Sequence, residues 1–373
     1  MKSTQSKLYK TILLNICLIC APSLSDSNEP SKLQDHLSSC QQSLDKKDHV
    51  TAITECREAL QIDPKNAEAY NNIGLAYAAA GDPSFAIKNT DEAINLDPQN
   101  ALYYGNRASY EMQLGLLGQA LTDFDKALEL NPNNAQYYAN RGTINEQLIL
   151  LEPAVNDYNQ AIELDPKLAT PYKALAKIHY DKGNIDQVIS NANKLLKLQP
   201  DDQETLIMRA RMLKARHDKN EPTNEQLLVD AVADCTRAVA KDPNHAPAHA
   251  CLSSVYLSKN EFGQSVASAT KAIDLGFTNG VYVTRAIAYF KLKNYTKANE
   301  DVANARRMEE TLNPKFLEDL TKATEEATAA ALAVKAKAEI AVAEIAAREA
   351  AATEAAAAKA KEEAAAAEAA KKQ

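Results

Sequence analysis

Residues 101–134 read ALYYGNRASYEMQLGLLGQALTDFDKALELNPNN, and this stretch decides the fold because the chain repeats its pattern. Its close, ALELNP at 127–132, has counterparts in ALQIDP at 59–64, AINLDP at 93–98 and AIELDP at 161–166. Pro64, Pro98, Pro132, Pro166 and Pro200 stand 34 residues apart. Two further closures read KLLKLQP at 194–200 and AVAKDP at 238–243. Self-similarity at one fixed period is the mark of a stack of like supersecondary units.

Each period holds two helical runs separated by a short polar turn such as Asp181-Lys182-Gly183-Asn184. Small residues, Ala108 and Ala120 for example, fall where two helices approach to roughly 8–10 Å. Tyr104 and Phe124 are placed to fill the wedge between neighbouring hairpins. Proline closes the unit because it cannot continue a helix and favours a helix start. Composition agrees. The 373 residues include only 10 glycines, too few for a sheet-rich fold with its turns and bulges. Hydrophobic residues at 45% and charged residues at 25% exclude disorder over the whole length. A net charge of −8 offers no general attraction to phosphates, so no nucleic-acid partner is expected.

Within 101–134 an aromatic, small residues at fixed offsets and a closing proline are supplied by Tyr104, Ala108, Ala120, Phe124, Ala127 and Pro132. Tyr138, Gly142, Ala154, Tyr158, Ala161 and Pro166 hold the same places one period on. The pattern resembles the tetratricopeptide repeat. That resemblance implies an all-α, right-handed solenoid of about eight helical hairpins, over 33–66, 67–100, 101–134, 135–168, 169–202, 203–245, 246–278 and 279–312. Three departures stand out. The first unit carries His36, Ser39 and Cys40 at packing positions, as suits a polar cap; the sixth has about nine extra residues near His217–Glu225, read as a surface loop; the seventh lacks the proline.

The resemblance also implies a concave groove lined by the first helix of each unit, whose sixth residue points inward. Asn72, Asn106 and Asn140 take that place in three successive units. A side-chain amide both donates and accepts, so stacked asparagines can hold the backbone of an extended peptide, as in some members of the family. Further along come Lys173 and Lys177, one turn apart, then Arg211 and Lys214. Cations clustered in a groove favour an acidic segment or a peptide C-terminus, although the full carboxylate clamp of the chaperone-binding members is not set out here.

The ends carry other signals. Lys2, Lys7 and Lys10 precede the apolar run Thr11–Ala21, with small residues at Ala21, Ser23 and Ser25. That order is a signal peptide, with cleavage expected after Ser25 and a linker over 26–32; an uncleaved anchor is the alternative. Eleven apolar residues are too few for a stable span, which takes roughly 20. The mature chain is expected outside the cytosol. After a capping segment at 313–320, residues 321–373 contain 26 alanines with Lys and Glu as most of the rest. A long helix or weak coiled coil follows, extending the chain or pairing it with another.

Signal, array and tail occupy the chain, and no Gly-rich phosphate loop, GxSxG or HExxH occurs. No catalysis and no cofactor are expected. His245 and His249 lie near Cys235 and Cys251 without a known finger spacing, so no metal is expected either. The cysteines point to bridges instead. Cys40 and Cys56 lie eight residues either side of Asp48, and Cys235 and Cys251 eight either side of Pro243. Residues equidistant from a hairpin turn share a height, so both pairs are disulfide candidates in an exported protein. The function expected is an interaction scaffold for a protein or extended peptide; the rival is an extracytoplasmic chaperone-like or envelope assembly factor.

Overall fold

The computed structural model describes residues 29–219 and 224–371. The expected signal peptide at 1–25 lies outside them. Seventeen helices and no strand occur among the described residues. In chain order the first hairpins are α1 (Glu29–Asp45) with α2 (His49–Ile62), α3 (Ala67–Ala79) with α4 (Pro83–Leu96) and α5 (Ala101–Gln113) with α6 (Leu117–Leu130). Next come α7 (Ala135–Gln147) with α8 (Leu151–Leu164), then α9 (Ala169–Asp181) and α10 (Ile185–Leu198). The last are α11 (Gln203–Lys219) with α12 (Glu225–Lys241), α13 (Ala246–Ser258) with α14 (Phe262–Asp274) and α15 (Val281–Lys291) with α16 (Tyr295–Arg307). A single helix, α17 (Pro314–Lys371), completes the chain. Two compact bodies divide within α9, between Leu175 and Ala176.

The period is written in caps and packing. Two residues after each proline, Asn66, Asn100 and Asn134 accept bonds from the amides of Ala69, Leu102 and Tyr137 at 2.9, 3.1 and 3.1 Å, satisfying donors that a helix start leaves open. In the N-terminal body, Ala108, Ala120, Phe124 and Ala127 have no exposed surface. Phe124 fills the wedge as its spacing predicts, and its ring partner is Tyr137 of the following hairpin, centroids 6.1 Å apart, rather than the expected Tyr104. Gly105 permits this approach: a Cβ there would collide with the Tyr137 ring. In the C-terminal body, Leu206, Leu228, Cys235 and Val255 form a fully or almost fully buried core.

Three boundaries differ from the sequence expectation. The linker ends early, since α1 starts at Glu29; Glu29 and Pro30 suit a first helical turn, where an acid meets the helix dipole and no amide is lost. The extra residues of the sixth unit mostly lengthen its helices, α11 and α12 having 17 residues each against 13 and 14 in α5 and α6. The centre of that insertion, 220–223, lies outside the described residues. The capping segment and the tail are one helix of 58 residues, about 87 Å long, with Asn313 accepting from the amides of Lys315 and Phe316. Among the described residues no helix is long and apolar enough to cross a membrane.

Candidate functional site

The asparagines of the N-terminal body do not form three equal rungs. Asn106 is half-buried and donates from Nδ2 to Asn71 Oδ1 at 2.8 Å. Asn71 in turn donates to Asn72 Oδ1 at 3.5 Å. Asn72 is only 4% exposed and its Nδ2 is shut away without a partner. The expectation that Asn72 lines an open groove is thereby corrected: the amide cluster at α3 and α5 closes over it. Asn140, half-buried, accepts from Gln136 Nε2 at 2.7 Å, leaving its own Nδ2 to donate elsewhere. Asn106 and Asn140 are therefore the accessible amides.

Beside each of them stands an arginine that the repeat pattern alone does not single out. Arg107 donates to Asp123 from Nε and Nη2 at 2.6 and 2.8 Å, and to Asp91 from Nη1 at 2.7 Å. Arg141 repeats the fork on Asp157 at 3.0 and 2.6 Å and on Asp125 at 2.7 Å. Each aspartate lies 16 residues from its arginine, one forward and one back, so one guanidinium ties its own hairpin to the preceding one. The Asp123 and Asp157 side chains are 8% and 7% exposed, and losing either partner of such a pair would strand a buried charge. These ties hold α5 and α7, and with them Asn106 and Asn140, at a set rotation.

The C-terminal body uses the same device. Arg209 forks onto Asp234 at 2.7 and 2.6 Å, 25 residues away, the same offset plus the nine-residue insertion. Arg285 forks onto Asp301 at 2.8 Å through both nitrogens. A search of the sequence for Arg with Asp at +16 would have found three of the four.

Three of the four expected cations come together: Lys177 and Arg211 line one cavity of the C-terminal body, and Arg211 and Lys214 line a second. Lys173 belongs to the N-terminal body and Lys177, exposed, to the C-terminal one. Lys214 is engaged by Asp218 at 2.6 Å. Arg211 is half-buried and lines two cavities of the C-terminal body, with acidic Asp181 and Glu204 on the wall of the larger. Cys40 is bonded to Cys56 within the first hairpin, Cα atoms 5.4 Å apart. Cys235 is bonded to Cys251 between successive hairpins, α12 and α13, at a Cα separation of 6.0 Å.

Comparison with known proteins gives the following. The TPR repeat model matches residues 44–81 and 151–183, and two tetratricopeptide repeat models match 67–100 and 101–134. No curated protein matches the chain in sequence. Among solved structures, pilF of Pseudomonas aeruginosa is 15% identical, with a TM-score of 0.52, over 59% of this chain and 96% of that one. A tetratricopeptide repeat protein from Parabacteroides merdae is 20% identical, with a TM-score of 0.46, over 69% of this chain and 99% of that one.

Proposed function

We propose that this chain, which belongs to the tetratricopeptide-repeat proteins, is a non-catalytic scaffold that grips an extended segment of a partner protein on the asparagine-bearing face of its N-terminal body. One observation carries the reading: Asn106 and Asn140 stand 34 residues apart, half-buried, each next to an arginine that locks its helix on both sides. Held amides cost little further ordering when a backbone pairs with them, and they read no side chain. Asn72 works indirectly, through Asn71, by orienting Asn106.

Affinity capture from the source cells tests this. Replacing Asn140 with Ala should lower partner retention severalfold with the thermal melt unchanged, and adding Asn106→Ala should lower it further at the cost of about 1–3 kcal/mol of stability, because the buried Asn71 loses its donor; undiminished retention rejects the face. A single stoichiometric partner fits the scaffold, whereas a spread of unfolded clients would move the reading to a chaperone-like holder.

We further propose that the scaffold works outside the cytosol. The Thr11–Ala21 run after three lysines and the two disulfides support this, since structural disulfides persist in oxidising compartments. N-terminal sequencing of the exported chain should begin at Asp26; an intact Met1 would indicate an anchor instead.

A further inference from the structure

The edge of the N-terminal body where first helices turn into second ones is apolar over two successive hairpins. Leu114 and Leu116 stand at the turn from α5 to α6, and Leu148, Ile149 and Leu150 at the turn from α7 to α8, each between 40 and 80% exposed. No charged residue occurs in 112–122 or 147–151. By contrast the turn of the first hairpin reads Asp45-Lys46-Lys47-Asp48, and two turns of the C-terminal body read Asp181-Lys182-Gly183-Asn184 and Ser258-Lys259-Asn260-Glu261. Arg141 ties α7 to the preceding hairpin, so the two apolar turns stand side by side, roughly 8–10 Å apart. Phe85, exposed near the start of α4, continues the ridge one hairpin earlier.

This ridge is kept against local stability. Leu116 and Leu150 fill N-cap places with no side-chain bond, where Asp82 caps α4, and Ile149 holds a left-handed φ of 62°. Departures of this kind gather where a surface serves binding. The turn amides are already satisfied, Leu116 N donating to Glu111 O at 2.9 Å and Leu150 N to Asn145 O at 2.8 Å. Covering them strands no donor.

Area and charge point to a second copy of the chain as what covers the ridge. Its five aliphatic side chains leave on the order of 400 Å² in water, a contact-sized apolar patch. A standard interface buries about 800 Å² per partner, a little over half of it apolar, so the ridge supplies one partner's apolar share. The flanking charges are opposite and lie at opposite ends: Lys88, 5.1 Å over the Phe85 ring, and exposed Glu152 at the start of α8. Asp82, also at the Phe85 end, is engaged in capping. A two-fold axis through the 114–116 turn runs two copies antiparallel and sets Lys88 of each against Glu152 of the other.

We infer that two copies of this chain pair edge to edge, antiparallel, through the apolar turns at 114–116 and 148–150, with Lys88 and Glu152 pairing at the rim. The surface is separate from the asparagine-bearing face, so the failure of either reading leaves the other standing.

Light scattering of the full chain should give one chain's mass at about 1 µM and approach two at about 200 µM, as mass action requires. Leu150→Asp supplies a cap while placing a charge in the ridge, so it should melt no lower than the wild type at the low concentration yet weaken pairing at least tenfold. Lys88→Glu and Glu152→Lys should each weaken pairing severalfold, and the two together should restore it. Asn140→Ala should pair like the wild type. A chain that stays monomeric at the high concentration overturns the proposal, as does a dimer that Leu150→Asp leaves intact. Failure of the double charge swap to recover pairing rejects the antiparallel register. If the monomer instead sediments with phosphatidylcholine vesicles and Leu150→Asp releases it, the ridge serves a lipid surface and the second copy is rejected.

Discussion

Glu111 and Asn145 hold the same place in successive hairpins, 34 residues apart, yet do opposite things. Asn145 donates to Asp157 at 3.0 Å. Glu111 faces Asp123 instead, is 7% exposed, and leaves Oε2 buried without a partner. Burial, with Asp123 and Asp91 adding and Arg107 opposing, pushes its carboxyl up to about 7. The folded chain thus keeps a proton that the unfolded chain gives up near pH 4.5. Stability is fullest below that pH and falls as pH rises from about 4.5 to 7. Glu111→Gln, which stays neutral, should match the wild type at pH 4.5 and exceed it by about 1–3 kcal/mol at pH 8. Thermal melts across that range check this; an offset independent of pH would dismiss the burial account. The repeat alignment makes position 111 legible as an odd residue, but only the packed hairpin shows what it faces.

At the scale of the element, the turn between α7 and α8 breaks a backbone rule that the turns on either side keep, and like the start of α6 it lacks a side-chain cap. Gly81 and Gly115 occupy the left-handed region in the corresponding turns, at φ 87° and 73°, and Ile149 does so at φ 62°. A β-branched side chain there costs about 1–2 kcal/mol. Leu150 then stands at the start of α8 with no side-chain cap, where Asp48 and Asp82 cap α2 and α4. Ile149 is 80% exposed and so gives up little burial on truncation. Ile149→Gly and Leu150→Asp should each stabilise by about 1 kcal/mol, raising the melting midpoint by a few degrees. A lowered midpoint for Ile149→Gly would mean that the side chain has a packing role.

For the whole molecule, the long tail and the array are energetically separable. Phe316, Leu317 and Leu320 of α17 pack with Phe290, Tyr295 and Val302, and Phe290 meets Phe316 edge-on at 5.7 Å. From residue 325 to 367 every side chain of α17 is exposed, Leu332, Val334, Ile340, Val342 and Ile345 included. Deleting 326–373 should leave the melting midpoint of the array unchanged. Deleting from Asn313 onward should lower stability by roughly 2–5 kcal/mol, because it empties the pocket around Leu320 and Phe316. Calorimetry of the two truncations checks both, and a drop with the shorter deletion would show that the exposed tail buries surface after all.

What the sequence determined by itself was the period and everything local to it. Proline, capping asparagine and small residues at fixed offsets act within one or two turns, so helix number, hairpin turns and a wedge at Phe124 were readable from residues 101–134, while its ring partner Tyr137 was not. The height of each cysteine along its hairpin was readable in the same way. What only the tertiary structure decided was which polar groups meet across helices: Arg107 with Asp91 and Asp123, Asn106 with Asn71, Glu111 against Asp123, and Arg211 with no partner among the described residues. The reason is geometric. A 34-residue repeat sets how high a side chain stands on its helix, while the rotation and spacing of packed helices set what it faces.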